Sequence, residues 1–329
     1  MLIRKKSVRS GYNRIDRGYI AMTDRPLASV LIPVYNQEAY VAEAVRSVLE
    51  QSYSSLELLL LDDASTDRTA EIFSKFETEP RVRLYRNEKN LGFPRTCNLG
   101  YSLARGEFLA IIAGDDTYAP DFLEKCIGAL LAYPAAGFVY TRISLMDQSG
   151  KKRPRKRDRI CHQGDFYGRE FDNIVRWLNP IPHGATVVRK RCVEELGAYD
   201  PELTAGHDWE FWLRLSKRYP SVFINEHLMN YRVHSENITN KRARMGEREK
   251  HLIAILDRVF AMEGISEELR RDKNEIYARA YLDVAEGYRK AGEPAKMRHF
   301  LFQALSLCKK PPLYLPYRRL LASSILPRL

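Results

Sequence analysis

Cysteine is scarce in this 329-residue sequence, and the five present, Cys97, Cys126, Cys161, Cys192 and Cys308, form no CxxC pair and no metal-ligand spacing. A thiolate zinc site and a disulfide scaffold are thereby excluded, and a reducing compartment is the simplest setting. Long hydrophobic runs are missing too. No stretch reaches the ~18 apolar residues of a membrane span, and none of signal-peptide length follows Arg4, Lys5, Lys6 and Arg9. The chain is expected to be cytoplasmic, either soluble or in peripheral contact with the cytoplasmic face of a membrane. Acidic residues are in deficit, 42 Asp and Glu against 53 Lys and Arg, for a net charge of +11. Such a surplus suits anionic partners such as nucleotides, nucleic acid or acidic lipid, and equally suits solubility alone.

What remains is ordinary globular material, 45% hydrophobic and long enough for two domains. Residues 1–25 are basic and aperiodic and read as a disordered arm, with an amphipathic membrane contact as the alternative. Short runs rich in branched and aromatic residues follow at 28–35, 56–63, 81–87, 107–116 and 136–144, each of strand type. Helical patterns lie between them at 39–49, 65–76, 98–104 and 120–131. The alternation predicts an α/β fold with a mainly parallel central sheet flanked by helices, whose ligands gather beyond the carboxyl ends of the strands.

Three of those ends carry polar groups: Tyr35 and Asn36, Asp62 and Asp63, and Asp115 and Asp116. Any one acid has a structural reading, because Asp63 to Asp67 also suit the cap of the next helix. Three at one rim point to a site. Asp208, opening the aromatic helix "HDWEFWLRLSKRYP", is either a cap or a further acid of that rim. Acids such as Asp115 and Asp116 suit a hard cation, Mg²⁺ or Mn²⁺, and "NYRVHSEN" offers His234 as a ligand and Arg232 as a phosphate donor.

The basic run "KKRPRKRDR" at 151–159 lacks interleaved aromatics, so nucleic acid is not the expected partner; a solvated loop or contact with an anionic acceptor fits better. From 246 the chain is helical, with "IYARAYLDVAEGYRKAGEPAKMRHFLFQALSL" as two helices joined at 291–294, and it ends on an aromatic, basic and apolar stretch. Its single hairpin does not support a repeat array.

The blocks "VLIPVYNQEAYVAEAVRSVLEQSYSSLELLLLDDASTDRT", "NLGFPRTCNLGYSLARGEFLAIIAGDDTYAPDFLEK", "GAYDPELTAGHDWEFWLRL" and "YRVHSENIT" together resemble inverting nucleotide-sugar glycosyltransferases of family 2, which have the GT-A fold. The resemblance runs from about residue 27 to 240 and implies a GT-A domain at 26–245 with a helical C-terminal region at 246–329. By that resemblance Pro33, Tyr35 and Asp63 belong to the donor-base pocket, and Arg95, Asp116 and Arg232 to the donor nucleotide. Asp115 falls on the last position of the family's DxD metal motif, whose first acid is Ala113 here. His234 falls on a second metal ligand and Asp208 on the catalytic base, which follows His207 where relatives often carry Glu. The implied activity is metal-dependent transfer, with inversion, from a nucleoside-diphosphate sugar, UDP-sugar favoured, to a hydroxyl of a glycan or lipid-linked acceptor in cell-surface polysaccharide synthesis. Two rivals stand beside it: a non-catalytic nucleotide-sugar-binding or scaffold module, and a sugar nucleotidyltransferase. The second would carry a glycine-rich basic loop after the first strand, where "VLIPVYNQEAY" has neither glycine nor lysine.

Overall fold

A computed structural model describes residues 25–154, 162–234, 237 and 247–308. The arm at 1–24, most of the basic run and the final stretch from 309 lie outside the described residues, and so do the expectations attached to them. The first half is a series of crossovers. Strands β1 (Ala28–Val34), β2 (Leu56–Asp62), β3 (Val82–Arg86) and β4 (Phe108–Ile111) lie parallel in the order β3-β2-β1-β4. Helices α1 (Val41–Leu49), α2 (Thr69–Ser74) and α3 (Phe93–Leu103) connect them. β1 and β2 are buried along their whole length, as continuous apolar runs in a covered parallel sheet must be.

The second half widens the sheet with β5 (Thr117–Tyr118), β6 (Phe138–Met146), β7 (Lys152–Pro154), β8 (Phe166–Gly168), β9 (Thr186–Arg189) and β10 (Ser221–Arg232). Its helices are α4 (Phe122–Ala132), α5 (Phe171–Arg176), α6 (Lys190–Leu196) and α7 (His207–Arg218). The main path reads β3-β2-β1-β4-β9-β6-β10-β5, with β9 antiparallel to both neighbours and β10 parallel to β6. The sheet is thus mainly parallel with an inserted antiparallel strand.

Alternate residues of β1 and β2 feed opposite cores, as the strand period of two requires. Val30, Ile32, Leu58 and Leu60 pack with α1 and α4. Leu31, Leu59 and Leu61 belong to a larger cluster with α3, α5 and α7, which continues into α8 (Glu247–Ala261), α9 (Glu267–Ala291) and α10 (Pro294–Leu307). The hairpin between the last two turns at Gly292, in the left-handed region at φ 75°, where the expected join falls.

Candidate active site

The rim at the carboxyl ends of β1 and β2 is built by hydrogen bonds between loops. Pro33 is buried in β1, opposite Leu61 of β2. Leu31 accepts from Ile112 at 3.0 Å, so Pro33, two residues on, turns its missing N–H toward the side where pairing with β4 has already ended. Tyr35 follows with 45% of its surface exposed, and Asn36 takes a left-handed φ of 54°. The Asn36 carboxamide oxygen accepts from the N–H of Thr66 at 2.8 Å, while Glu38 N–H donates to Asp67 at 3.0 Å. Asp67 also accepts from the Thr69 N–H at 2.9 Å and is the residue that fits the capping reading.

Asp63 does not cap. Its carboxylate accepts from Asn87 Nδ2 and Leu91 N–H, both at 2.8 Å, and from Gly92 N–H at 2.9 Å, fastening the 87–92 loop against β2. An ionised carboxylate has about four acceptor positions, so one is left. Arg95, in the first turn of α3, meets Glu202 at 2.6 Å in an exposed ion pair.

After β4 the chain turns through Asp115 and Asp116. His234 Nε2 lies 2.9 Å from Asp115 Oδ2, and Asn237 Nδ2 donates to the same oxygen at 3.2 Å. Asp116 accepts the Arg232 N–H at 2.8 Å. Burial, reinforced by the charge of Asp115, pushes its carboxyl well above the usual range despite Arg232 beside it. The Arg232 guanidinium corrects the expectation of a phosphate donor. Only 1% exposed, it donates to the Asp115 carbonyl at 2.8 Å, the Asp147 carbonyl at 3.2 Å and Glu43, and lies 4.7 Å from the Tyr40 ring centroid. Three of its five N–H groups hold the turn, and its burial keeps the rest from open access to a ligand.

Among the described residues no three acids, histidines or cysteines gather into a ready cation cage. Asp115 and His234 nevertheless meet, His234 Nε2 against Asp115 Oδ2. Hard cations often take only one or two protein ligands and complete their shell with substrate phosphates. The pair fits a cation shared with a diphosphate, not one held by protein alone.

Asp208 is the second residue of α7, whose cap position is Gly206 at φ 76° with no side chain to offer. Its Oδ2 accepts from Asn179 Nδ2 at 2.8 Å and serves no helix N–H, so the capping reading fails. Beside it Phe93, the neighbour of Gly92, packs on His183 and His207 with ring centroids 5.5 and 5.4 Å apart. His183 Nε2 meets the Tyr199 hydroxyl at 2.6 Å. Burial lowers the His183 pKa, with the Asp208 charge opposing it.

One rim therefore runs from Tyr35 and Asp63 through Gly92 and Phe93 to His207 and Asp208. The turn His183–Ala185 seats Gly184 against Ile111, the last residue of β4, beyond which lie Asp115 and His234. Arg95 stands at the edge and Arg232 behind it. Sequence reasoning missed Tyr40, Glu43, Asn179 and Asn237. Tyr40 and Glu43 stand a helical turn apart at the start of α1, the one signal that might have paired them; nothing local marks the two asparagines.

The model of Glycosyl transferase family 2 matches residues 29–197, just over half of the chain. TuaG of Bacillus subtilis, named as a glycosyltransferase of teichuronic acid biosynthesis, is 29% identical over 241 residues, 72% of this chain and 91% of TuaG. The mannosyltransferase PcManGT of Pyrobaculum calidifontis, solved with GDP-Man and Mn²⁺, superposes with a TM-score of 0.63 at 18% identity, covering 96% of this chain and 88% of that one. S. aureus TarS 1–349 with UDP gives 0.52 at 18% identity over 90% of each chain. At that identity the two structures carry the GT-A fold alone; with the matched model they complete what the rim began, and this chain belongs to glycosyl transferase family 2 and is a glycosyltransferase.

Proposed function

We propose that the enzyme transfers a sugar, with inversion, from a nucleoside-diphosphate sugar to a hydroxyl of a glycan or lipid-linked acceptor during cell-surface polysaccharide assembly. The observation that carries this is the position of Asp208, a hydrogen-bonded carboxylate on the rim that also bears the converging pair Asp115 and His234. Asp208 takes the proton of the acceptor hydroxyl as that oxygen attacks the anomeric carbon from the face opposite the diphosphate. A single displacement inverts the centre.

Tyr35 offers an exposed ring for the base to stack on, and the remaining acceptor position of Asp63 suits the single imide N–H of uracil. The neighbours were solved with UDP and with GDP-Man, so the preference for uridine rests on Asp63. Asp115 and His234 would hold Mg²⁺ or Mn²⁺, which would supply positive charge against the departing diphosphate. Asp116 and Arg232 fix the turn that presents Asp115. Arg95 exchanges Glu202 for the diphosphate, at little loss, because exposed ion pairs are worth only about 0–1 kcal/mol. The TuaG likeness supports a cell-surface acceptor, and the surplus positive charge would favour an anionic membrane bearing it. Among the described residues no helix is long and apolar enough to cross a membrane.

A donor panel tests this reading: UDP-sugars and GDP-mannose, each with and without Mn²⁺, scored by thermal shift and by release of nucleotide diphosphate. A Mn²⁺-dependent shift with one UDP-sugar, with turnover abolished in Asp208→Asn, is the expected result. Binding without turnover would favour the non-catalytic module, and full turnover in Asp208→Asn would remove the base assignment.

A further inference from the structure

Two features meet at residue 179. Leu178 and Asn179 both have left-handed backbones, φ 52° and 63°, and Pro180 narrows the conformations open to Asn179 further. Asn tolerates this region; leucine does so rarely. The Asn179 carboxamide donates to Asp208 Oδ2 at 2.8 Å, while its own Oδ1 is buried with no hydrogen-bond partner. Turning the amide over would set oxygen against the carboxylate, so its orientation follows from Asp208 being an acceptor. A strained pair of residues and an orphaned oxygen persist only where surrounding structure enforces them, and such costs gather at functional sites.

We propose that Asn179 is the positioning residue of the base: it occupies Asp208 Oδ2 and fixes the carboxylate plane, leaving Oδ1 to receive the acceptor's proton. This rests on Asp208 acting as the base. Among the described residues no bond engages Asp208 Oδ1, which agrees with that division of the two oxygens. The other ionisable groups around Asp208 are His183 of the 3₁₀ turn, Tyr199 before α7 and His207 on α7. Burial lowers the first and raises the second well above the usual phenol range, so neither carries charge near neutral pH.

Steady-state kinetics of Asn179→Gly, with Asn179→Asp beside it, test the proposal. Glycine accepts the left-handed backbone without strain and removes the carboxamide together with its Cβ. The expected result is a kcat roughly 10- to 100-fold lower, the scale of a hydrogen bond to a charged group, with the donor KM changed less than about twofold. Asn179→Asp keeps the size and the backbone tolerance and should show the same losses, which covers a glycine variant that fails to fold. Wild-type kcat in either folded variant, or a donor KM raised as far as kcat is lowered, would overturn the positioning role. Asp208→Asn separates the two ideas: if it is inactive while Asn179→Gly is normal, only the positioning role falls, and if it is active, the base assignment falls first.

Discussion

Burying a guanidinium costs several kcal/mol unless its donors are met, and three of the five in Arg232 go to two carbonyls and to Glu43. Because the acceptors lie on three segments, the turn after β4, the residue after β6 and helix α1, the side chain fixes their spacing around Asp115. Arg232→Met should therefore lower stability by about 3 kcal/mol in urea unfolding. Arg232→Lys should recover little, since a single ammonium cannot span the fork. Unfolding midpoints equal to wild type would show the network to be dispensable. His183 makes a second residue-scale prediction. Its pKa is lowered by burial, so the folded state resists a proton that the unfolded chain accepts near pH 6.5. That stability is present above pH ~6.5 and is lost as pH falls through the lower folded value. His183→Gln should flatten the decline in unfolding free energy between pH 7.5 and 5.5; a slope equal to wild type would refute it.

At the scale of elements, the reach of sequence reasoning follows the regularity of the pattern. β1 and β2 were legible because a covered parallel strand is an unbroken apolar run, and α1 because Val41, Ala44, Val45 and Val48 share a face that the structure buries. β10 was not legible. Its register shifts twice between Ile224 and Met229, so "INEH" breaks the alternation that would have announced it. The acids of the rim can be found because they punctuate strand ends, whereas nothing in the sequence around Arg232 reveals the strand that turns its side chain inward. β4 stops at Ile111, short of the expected 116, which frees Asp115 to meet His234 and Asp116 to meet the Arg232 N–H. α3 begins at Phe93, earlier than expected, with Pro94 in its first turn and Gly92 before it at φ 85°. A Cβ on Gly92 would meet nothing within 4 Å. Gly92→Ala should thus cost only the backbone conformation, about 1–3 kcal/mol because φ 85° with ψ 155° is a region essentially confined to glycine, while loosening the N–H that binds Asp63. Weaker donor binding by thermal shift, with the fold kept, is the outcome expected; unchanged donor affinity would detach that loop from the base pocket.

At the scale of the whole molecule, the C-terminal helices share one core with α3, α5 and α7. Their polar contacts reach the segment that leads into Asp208. His251 of α8 meets the Thr204 hydroxyl at 3.2 Å, and Arg258 lies 3.7 Å from Asp200. Ile255 presses on Gly206, where a Cβ would stand 3.1 Å from Ile255 Cδ1, and Gly206 is the left-handed residue from which α7 starts. Loss of that contact should let the start of α7 relax, and with it the carboxylate that must meet the acceptor. Leu301 on α10 is buried in the same cluster but packs in the α9–α10 hairpin. Ile255→Ala and Leu301→Ala should each cost about 2–4 kcal/mol of stability, yet only the first should lower kcat, with donor affinity unchanged in both. If kcat falls equally in the two, the helices act on activity through stability alone. If it falls in neither, the site in the sheet domain is indifferent to the packing behind it.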